Sequence, residues 1–289
     1  MELRELNKFR IKAIIALLLG IVAVIVVFLL CVKYFQSLEW ALIAALPSII
    51  YIWRLNHQYR LKFKEYFVKK PLENIFTELK FLPETPLKQS NIEKTELIQE
   101  GDTYESNDLM VATYKNIQFV QADVELKNLK YSMQVNHFHY KRYKRIFKGR
   151  WMIFDFNKTF KSNVQIIDKK FKRIKKKNGT SFNKIEVEDI IFNKKFRIYT
   201  TNAHEAFYIL TPQLIEKMQR LVKNIKGEVI FSFLDSKLHV GVNNKKDSFE
   251  HSIFRRINEA KVIENISKDI KLITSFVDEL SLDNTLFKN

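Results

Sequence analysis

His137 and His139 stand two residues apart in the run NHFHY at 136–140. Side chains alternate along a strand, so both imidazoles would leave from one face, a spacing that a metal can use. A metal site needs further ligands, and no third one is evident around the pair. The two histidines therefore read as part of an exposed strand pair, and no metal is expected. His239 falls between Leu238 and Val240 in an alternating run and is expected on the solvent side. Glu205, in AHEAFYILTP, is either a buried carboxylate paired with a lysine or a residue of a helix surface. The second is preferred.

Other chemistry-bearing residue types are sparse. Six glycines in 289 residues, none of them clustered, leave no loop to cradle a phosphate. No GxSxG appears, and the one cysteine, Cys31, lies inside an apolar run, so no thiol outside a membrane can act as a nucleophile. No catalytic residue and no cofactor are assigned. A binding or scaffold module ranks first, with an enzyme acting on a lipid or membrane-bound substrate as the alternative.

Positive charge is what the chain has in quantity: 49 Lys and Arg against 32 Asp and Glu, a formal net charge of +17. It is unevenly placed. Between Lys127 and Thr200 there are 21 Lys and Arg against 5 Asp and Glu, whereas 71–126 with 201–289 hold 17 against 23. Two runs dominate, YKRYKRIFKGR at 140–150 and KKFKRIKKK at 169–177. Lys169, Lys170, Lys172, Arg173, Lys175, Lys176 and Lys177 of the second run are candidate contacts to anionic lipid headgroups, together with Arg60, Lys62 and Lys64. Each such residue close to an anionic leaflet is worth ~1 kcal/mol. A solvated hairpin is the plain alternative. Nucleic acid ranks last, because no helix-turn-helix, RNA-recognition signature or metal-finger spacing accompanies the charge.

The elements that must hold these residues begin with a membrane anchor. Ala13 to Val32 is twenty residues without a charge, long enough as a helix to cross the ~30 Å hydrocarbon core. A second apolar stretch, Leu38 to Trp53, is shorter and carries Glu39 and Pro47. Arg4, Lys8, Arg10 and Lys12 precede the first span, and Arg54, Arg60, Lys62, Lys64, Lys69 and Lys70 follow the second; the connecting turn holds Lys33 alone. The positive-inside rule makes residues 1–53 a transmembrane hairpin (spans 13–32 and 38–53) in a bacterial cytoplasmic membrane, with both termini and the large domain cytosolic. A re-entrant second segment would put the large domain outside. Residues 54–70 form a basic amphipathic linker, read as a helix that snorkels its lysines or as a lipid-binding segment.

Residues 71–289 read as one α+β domain, an antiparallel sheet with packed helices and a long C-terminal helix. A short helix is expected at Leu72–Lys80. IQFVQADVEL places Gln118, Val120, Ala122, Val124 and Leu126 on one face and Asp123 and Glu125 on the other, as a half-buried strand. WMIFDFNKTF, VQIID, KIEVEDI and KFRIYT are read as further strands. EVIFSFL and KLHVGV are read as a hairpin about Asp235–Ser236. Thr211–Pro212 is a helix start, with Thr as N-cap. Trp151 or its neighbours Met152, Phe154 and Phe156, together with Tyr208, Leu210, Leu214 and Met218, are expected in the core. Ile263, Ile266, Ile270, Ile273, Val277 and Leu280 form a heptad-like seam, read as packing on the domain's own sheet or as self-association.

FKGRWMIFDFNKTF, FNKKFRIYT and HEAFYILTP, in this order, resemble a bacterial membrane-protein family classed only as a domain of unknown function. The resemblance covers about Pro71 to Leu280. It implies two N-terminal spans and a cytosolic α+β domain with an FKG-aromatic strand, an FNKxF strand and an EAxYILTP helix start. It carries over no activity, cofactor or catalytic residue. Gly149 reads as a turn or a close approach, and Asn157 and Asn193 as residues that satisfy turns.

Overall fold

A computed structural model describes residues 3–35, 38–135, 138–172 and 180–280. The chain divides into two compact units, Met1–Pro71 with Phe249–Ser267, and Leu72–Ser248 with Lys268–Asn289.

The first unit is built on α1 (Leu3–Phe35) and α2 (Leu38–Phe63). Among the described residues α1 is the helix long and apolar enough to cross a membrane, over Leu3–Leu30. Its apolar side chains face outward, with Leu19 65% exposed, as a lipid-facing helix requires. The second apolar stretch lies in α2, which runs unbroken through Pro47. The helices approach closely at Gly20, where a Cβ would stand 3.2 Å from Ile52 Cδ1. Pro71 does not end the helical run that carries the basic segment. A π-helical turn (Lys64–Lys69) leads without a break into α3 (Lys70–Glu73), which contains Pro71.

Residues 249–267 pack in the same unit. Phe249, Ile253 and Ile257 are buried there, as are Tyr59, Phe63 and Phe67. The Tyr59 hydroxyl lies 3.0 Å from His251 Nδ1, and the His251 ring stacks on Phe63 with centroids 5.1 Å apart. Arg10 Nη1 donates to the carbonyls of Ile253 (3.5 Å) and Arg255 (3.1 Å).

The second unit is an antiparallel sheet in the order β1-β2-β3-β4-β6-β5, with β7 also paired to β4. Its strands are β1 (Thr77–Leu82), β2 (Thr103–Tyr114), β3 (Ile117–Val135), β4 (Phe138–Asp168), β5 (Asn183–Ile185), β6 (Phe196–Thr200) and β7 (Glu228–Asn243). The helices are α4 (Ser90–Glu93), α5 (Ile190–Lys195), α6 (Ala203–Ile209), α7 (Pro212–Lys223) and α8 (Glu259–Leu280), whose first turns belong to the other unit. β4 organises everything: it pairs with β3 over Phe138–Phe154, with β7 over Arg150–Ile167 and with β6 over Val164–Asp168.

Both faces of this sheet are covered. On one face Val124, Leu126, Phe147, Trp151 and Ile230 pack against Leu87, Ile92 and Leu97 of the segment between β1 and β2. On the other, Phe154 lies between Phe119 and Phe276 of α8, with centroids 5.8 and 6.0 Å away. Gly149 has a φ of +152°, and a Cβ there would lie 2.1 Å from the Val242 carbonyl oxygen, so close backbone approach demands glycine.

Several expectations are corrected. Leu72–Lys80 is not a helix; β1 begins at Thr77. WMIFDFNKTF and VQIID are parts of the single strand β4. EVIFSFL and KLHVGV are likewise one strand. Asp235 takes a φ of 55°, but it sits opposite Phe160 at an irregularity in the β4–β7 ladder, so its left-handed backbone bends a strand instead of closing a hairpin. FNKK belongs to α5, capped by the Asp189 carboxylate accepting from Phe192 N at 2.7 Å, and the strand starts only at Phe196. Tyr208 is 70% exposed rather than buried, whereas Trp151, Met152, Phe154, Leu210, Leu214 and Met218 are in the core. Phe156 and Asn157 are among the residues whose side chains lie outside what is described. The Thr211 N-cap is present, its hydroxyl accepting from Leu214 N at 3.2 Å. Ile266, Ile270, Ile273, Val277 and Leu280 of the seam are buried within the chain, and Ile263 is exposed.

Candidate membrane-contact surface

β3 and β4 outrun their neighbours. The last β2 partner on β3 is Lys127, and the first β4 residue paired with β7 is Arg150. Between them, about Asn128–Val135 and Phe138–Phe147, the two strands pair only with each other among the described residues. At ~3.3 Å per residue the eight residues of β3 make a ribbon about 26 Å long. An isolated two-stranded ribbon is marginal in water, and this one carries aromatic residues out into solvent.

The register sorts those residues onto faces. Met133 pairs with Tyr140 and Tyr131 with Arg142 on one face, while Ser132 pairs with Lys141 and Leu129 with Tyr143 on the other. Met133 is 52% and Tyr140 56% exposed. The Tyr131 and Tyr140 rings lie 6.1 Å apart, and the Arg142 guanidinium is 5.9 Å from the Tyr131 centroid, in cation–π range. From Lys127 to Lys148 the sequence has seven Lys and Arg and no Asp or Glu.

At the ribbon's base the cations are neutralised. Glu125 receives Arg145 Nε at 2.7 Å, Lys148 Nζ at 3.0 Å and Lys127 Nζ at 3.4 Å. Burial alone would raise its pKa, but Lys148, Arg145 and Lys127 together hold the carboxyl down to about 2. Lys148 also meets Asp247 at 2.9 Å, and Lys127 meets Glu105 at 3.0 Å. Further out lie Lys130, Lys141, Arg142 and Lys144, on a stretch where neither strand carries a carboxylate.

Deeper in the sheet lies a polar node. Arg150 is enclosed, its Nε donating to Ser248 Oγ at 3.1 Å and its Nη1 to the Asp269 carbonyl of α8 at 2.6 Å. The Asp123 carboxylate accepts from Ser248 N and lies 4.0 Å from Arg150 Nε. Burial pushes Asp123 up to about 6 against the opposing pull of Arg150 and the Ser248 hydrogen bonds. These residues tie β3, β4, the loop after β7 and α8 together, a structural role.

His239 is also buried, contrary to the expected solvent position. The Trp151 face, where it sits, is covered by the β1–β2 segment, and its ring lies 6.4 Å from Trp151 in an edge-on arrangement. Burial, reinforced by Lys94 and Lys237, lowers its pKa to about 3, so it is neutral at physiological pH. Glu205 accepts from Lys161 N at 2.6 Å and is partly exposed on α6. Asn193 bridges the Val187 backbone, its Oδ1 accepting from Val187 N at 3.2 Å and its Nδ2 donating to Val187 O at 2.6 Å.

The sequence candidates for lipid contact fare differently from one another. Lys64 is buried, its ammonium 2.7 Å from Glu250, which also takes Arg60 Nη2 at 2.7 Å. Lys62 lies 4.1 Å from the Phe9 ring centroid. Lys169, Lys170 and Lys172 are exposed just after β4; Arg173, Lys175, Lys176 and Lys177 lie outside the described residues, as does His137. Sequence reasoning finds an exposed strand pair at NHFHY and a basic run at 140–150 but does not join them into one surface. The signal that joins them is the basic–aromatic alternation of YKRYKR next to NHFHY, with no turn-forming glycine or proline to end the strand.

Fold and surface thus define an α+β protein with an N-terminal apolar helix and a basic, aromatic ribbon. Residues 145–282 match a domain family, DUF3137, described as a protein of unknown function. The match starts at the ribbon's base, so the apolar helix, β1–β3 and most of the ribbon precede it. No curated protein sequence matches the chain. Among solved structures, the crystal structure of the mycobacterial trehalose monomycolate transport factor A, TtfA, aligns with 10% identity and a TM-score of 0.35. The alignment covers 77% of this chain and 94% of that one; a likeness at this level carries no argument.

Proposed function

We propose that this chain is a membrane-anchored, non-enzymatic binding module that works at the anionic face of a bacterial cytoplasmic membrane. α1 is its first span and α2 its second, with both termini and the sheet unit in the cytosol. Its ligand is anionic phospholipid or another membrane protein presented at the same surface. The observation that carries this reading is the pairing, in one chain, of an outward-facing apolar helix with a domain whose positive charge is concentrated between Lys127 and Thr200. A basic surface held near an anionic leaflet gains from every charge that reaches it. Basic residues flanking the two apolar stretches, against Lys33 alone between them, support the cytosolic placement.

Topology reporters fused after Asn289 and inserted between Lys33 and Glu39 test this reading. The expected result is a cytosolic signal from the first and an extracytoplasmic signal from the second, in protein that resists alkaline extraction from membranes. An extracytoplasmic C-terminus would overturn it.

A further inference from the structure

We propose that the turn Ser252–Arg255, with Arg256 after it, is a membrane contact: Phe254 lies in the headgroup layer and the two arginines bind the phosphates of anionic phospholipid. It rests on the membrane placement proposed above and names a surface and ligand class that serve it.

The turn is held in shape by its own hydrogen bonds. Arg255 N donates to the Ser252 carbonyl at 3.0 Å, and Ser252 Oγ accepts from Phe254 N at 3.3 Å. Ile253 and Ile257 are buried on either side, so Phe254, 66% exposed, is presented outward from a fixed place. A single exposed aromatic residue is ordinary on a water-facing surface. What sets this one apart is where its turn is fastened.

Arg10 Nη1 donates to the carbonyls of Ile253 and Arg255, the two residues that flank Phe254. Just before the turn, His251 is held by Tyr59 and Phe63. The height of these contacts follows from the helix pair. α1 and α2 meet at Gly20 and Ile52, and again at Phe9 and Lys62, so they run antiparallel and Tyr59 lies level with Ala13. Arg10 precedes Ala13, where the uncharged run begins, by three residues or ~4.5 Å along the helix. The turn is thus bolted to the flank of the helix pair at the level where, in that placement, hydrocarbon gives way to headgroups. The molecules that surround a spanning pair at this level are lipids.

The chemistry fits that layer. Aromatic rings are favoured at the interface, and a guanidinium fork matches a phosphate. Residues 251–258 hold Arg255 and Arg256 and no Asp or Glu. Glu250 before them is engaged by Arg60 and Lys64, and Glu259 after them opens α8. Lys8 and Lys12, at the same end of α1, add to the positive field. An acidic protein would also suit the arginines, but it would have to displace the lipid that encircles the pair at this height.

The test uses the full chain in lipid nanodiscs. Cys31, the only cysteine, is replaced by serine, and a small aromatic fluorophore is attached at Phe254→Cys or, separately, at Leu19→Cys in the middle of α1. Discs mix phosphatidylcholine with phosphatidylglycerol, and one lipid or the other carries a nitroxide on its upper acyl chain. Position 254 should be quenched, and at 0.1 M salt more strongly by labelled phosphatidylglycerol than by labelled phosphatidylcholine at equal abundance. That excess should vanish in the variant Arg255→Gln, Arg256→Gln. It should also vanish for the parent at 1 M salt, as the screening length falls from ~10 Å to ~3 Å. Arg10 binds the backbone of residue 255, so the variant keeps that bond, and the salt series does not depend on the variant.

Quenching at 19 with none at 254 would overturn the contact and leave the membrane reading standing. Silence at both positions would count against both. Equal quenching of 254 by the two lipids at 0.1 M salt would overturn the anionic ligand. A position 254 silent to both lipids yet shielded from aqueous iodide in native membranes would assign the turn to a protein partner and overturn the proposal.

Discussion

Arg10, Arg60 and Lys64 in the helical unit and Lys130, Lys141, Arg142 and Lys144 in the ribbon come from stretches of like composition, basic residues interleaved with Tyr and Phe. Their surroundings differ completely. Arg10 is held by the carbonyls of Ile253 and Arg255, and Lys64 and Arg60 share the Glu250 carboxylate. Residues from near position 250 close on the end of α2, so the cations there are structural. Along the ribbon's outer cations, neither strand carries an acidic residue. Composition cannot separate the two cases, because the counter-charge in the first arrives from about 190 residues away in sequence.

Substitutions can break or sharpen that comparison. The largest effect is expected at the most enclosed cation. Arg150→Ala would leave Asp123 buried without its guanidinium and should destabilise the full chain by about 3–5 kcal/mol in denaturant titration in detergent. A loss no larger than that from neutralising the ribbon would erase the distinction between structural and surface cations.

His239 sharpens the comparison from another side, as a base kept neutral by burial. Its folded-state pKa, about 3, lies below the ordinary 6.5, so the unfolded chain binds the extra proton first. The stability it confers by staying neutral is complete above pH 6.5 and is lost as pH falls toward 3, by about 2 kcal/mol at pH 5. Asp123, raised to about 6, acts oppositely, because the folded state takes up its proton first and gains stability as pH falls from 6 to 3.8. His239→Leu should remove only the first trend. A pH–stability difference between variant and parent that stays flat from pH 7 to 5 would show that the imidazole is hydrated.

Lys64→Met keeps the aliphatic stem and deletes the ammonium. Glu250 retains Arg60 and is partly exposed, so about 1–2 kcal/mol should be lost, read as a lower thermal midpoint. An unchanged midpoint would return Lys64 to the lipid-contact class. The smallest effect is reserved for the ribbon: replacing Lys130, Lys141, Arg142 and Lys144 by Gln should shift stability by less than about 0.5 kcal/mol. A larger loss would mean that those cations also have structural partners.

Much of the sheet is legible because alternation is local. Val120, Ala122, Val124 and Leu126 do share the Trp151 face, and the Thr211–Pro212 start holds because capping depends on residues three apart. His239 is misplaced for the converse reason. A polar residue in an alternating strand implies water on its face, and here α8 and the β1–β2 segment cover both faces from far off in sequence. Asp235 looks like a hairpin turn, since Asp tolerates a left-handed backbone, yet the same conformation bends β7 alongside β4. The ribbon is legible only in pieces, as an exposed strand pair at NHFHY and a basic run at 140–150, because a 31-residue strand lies far outside ordinary strand lengths.

Amide hydrogen exchange on the full chain, compared between neutral and anionic nanodiscs, tests both halves of the comparison at once. The account predicts that anionic lipid slows exchange at residues 128–135 and 138–147, and leaves 59–68 unchanged. Slowing confined to 59–68, or to 169–172, with the ribbon unaffected, would contradict it.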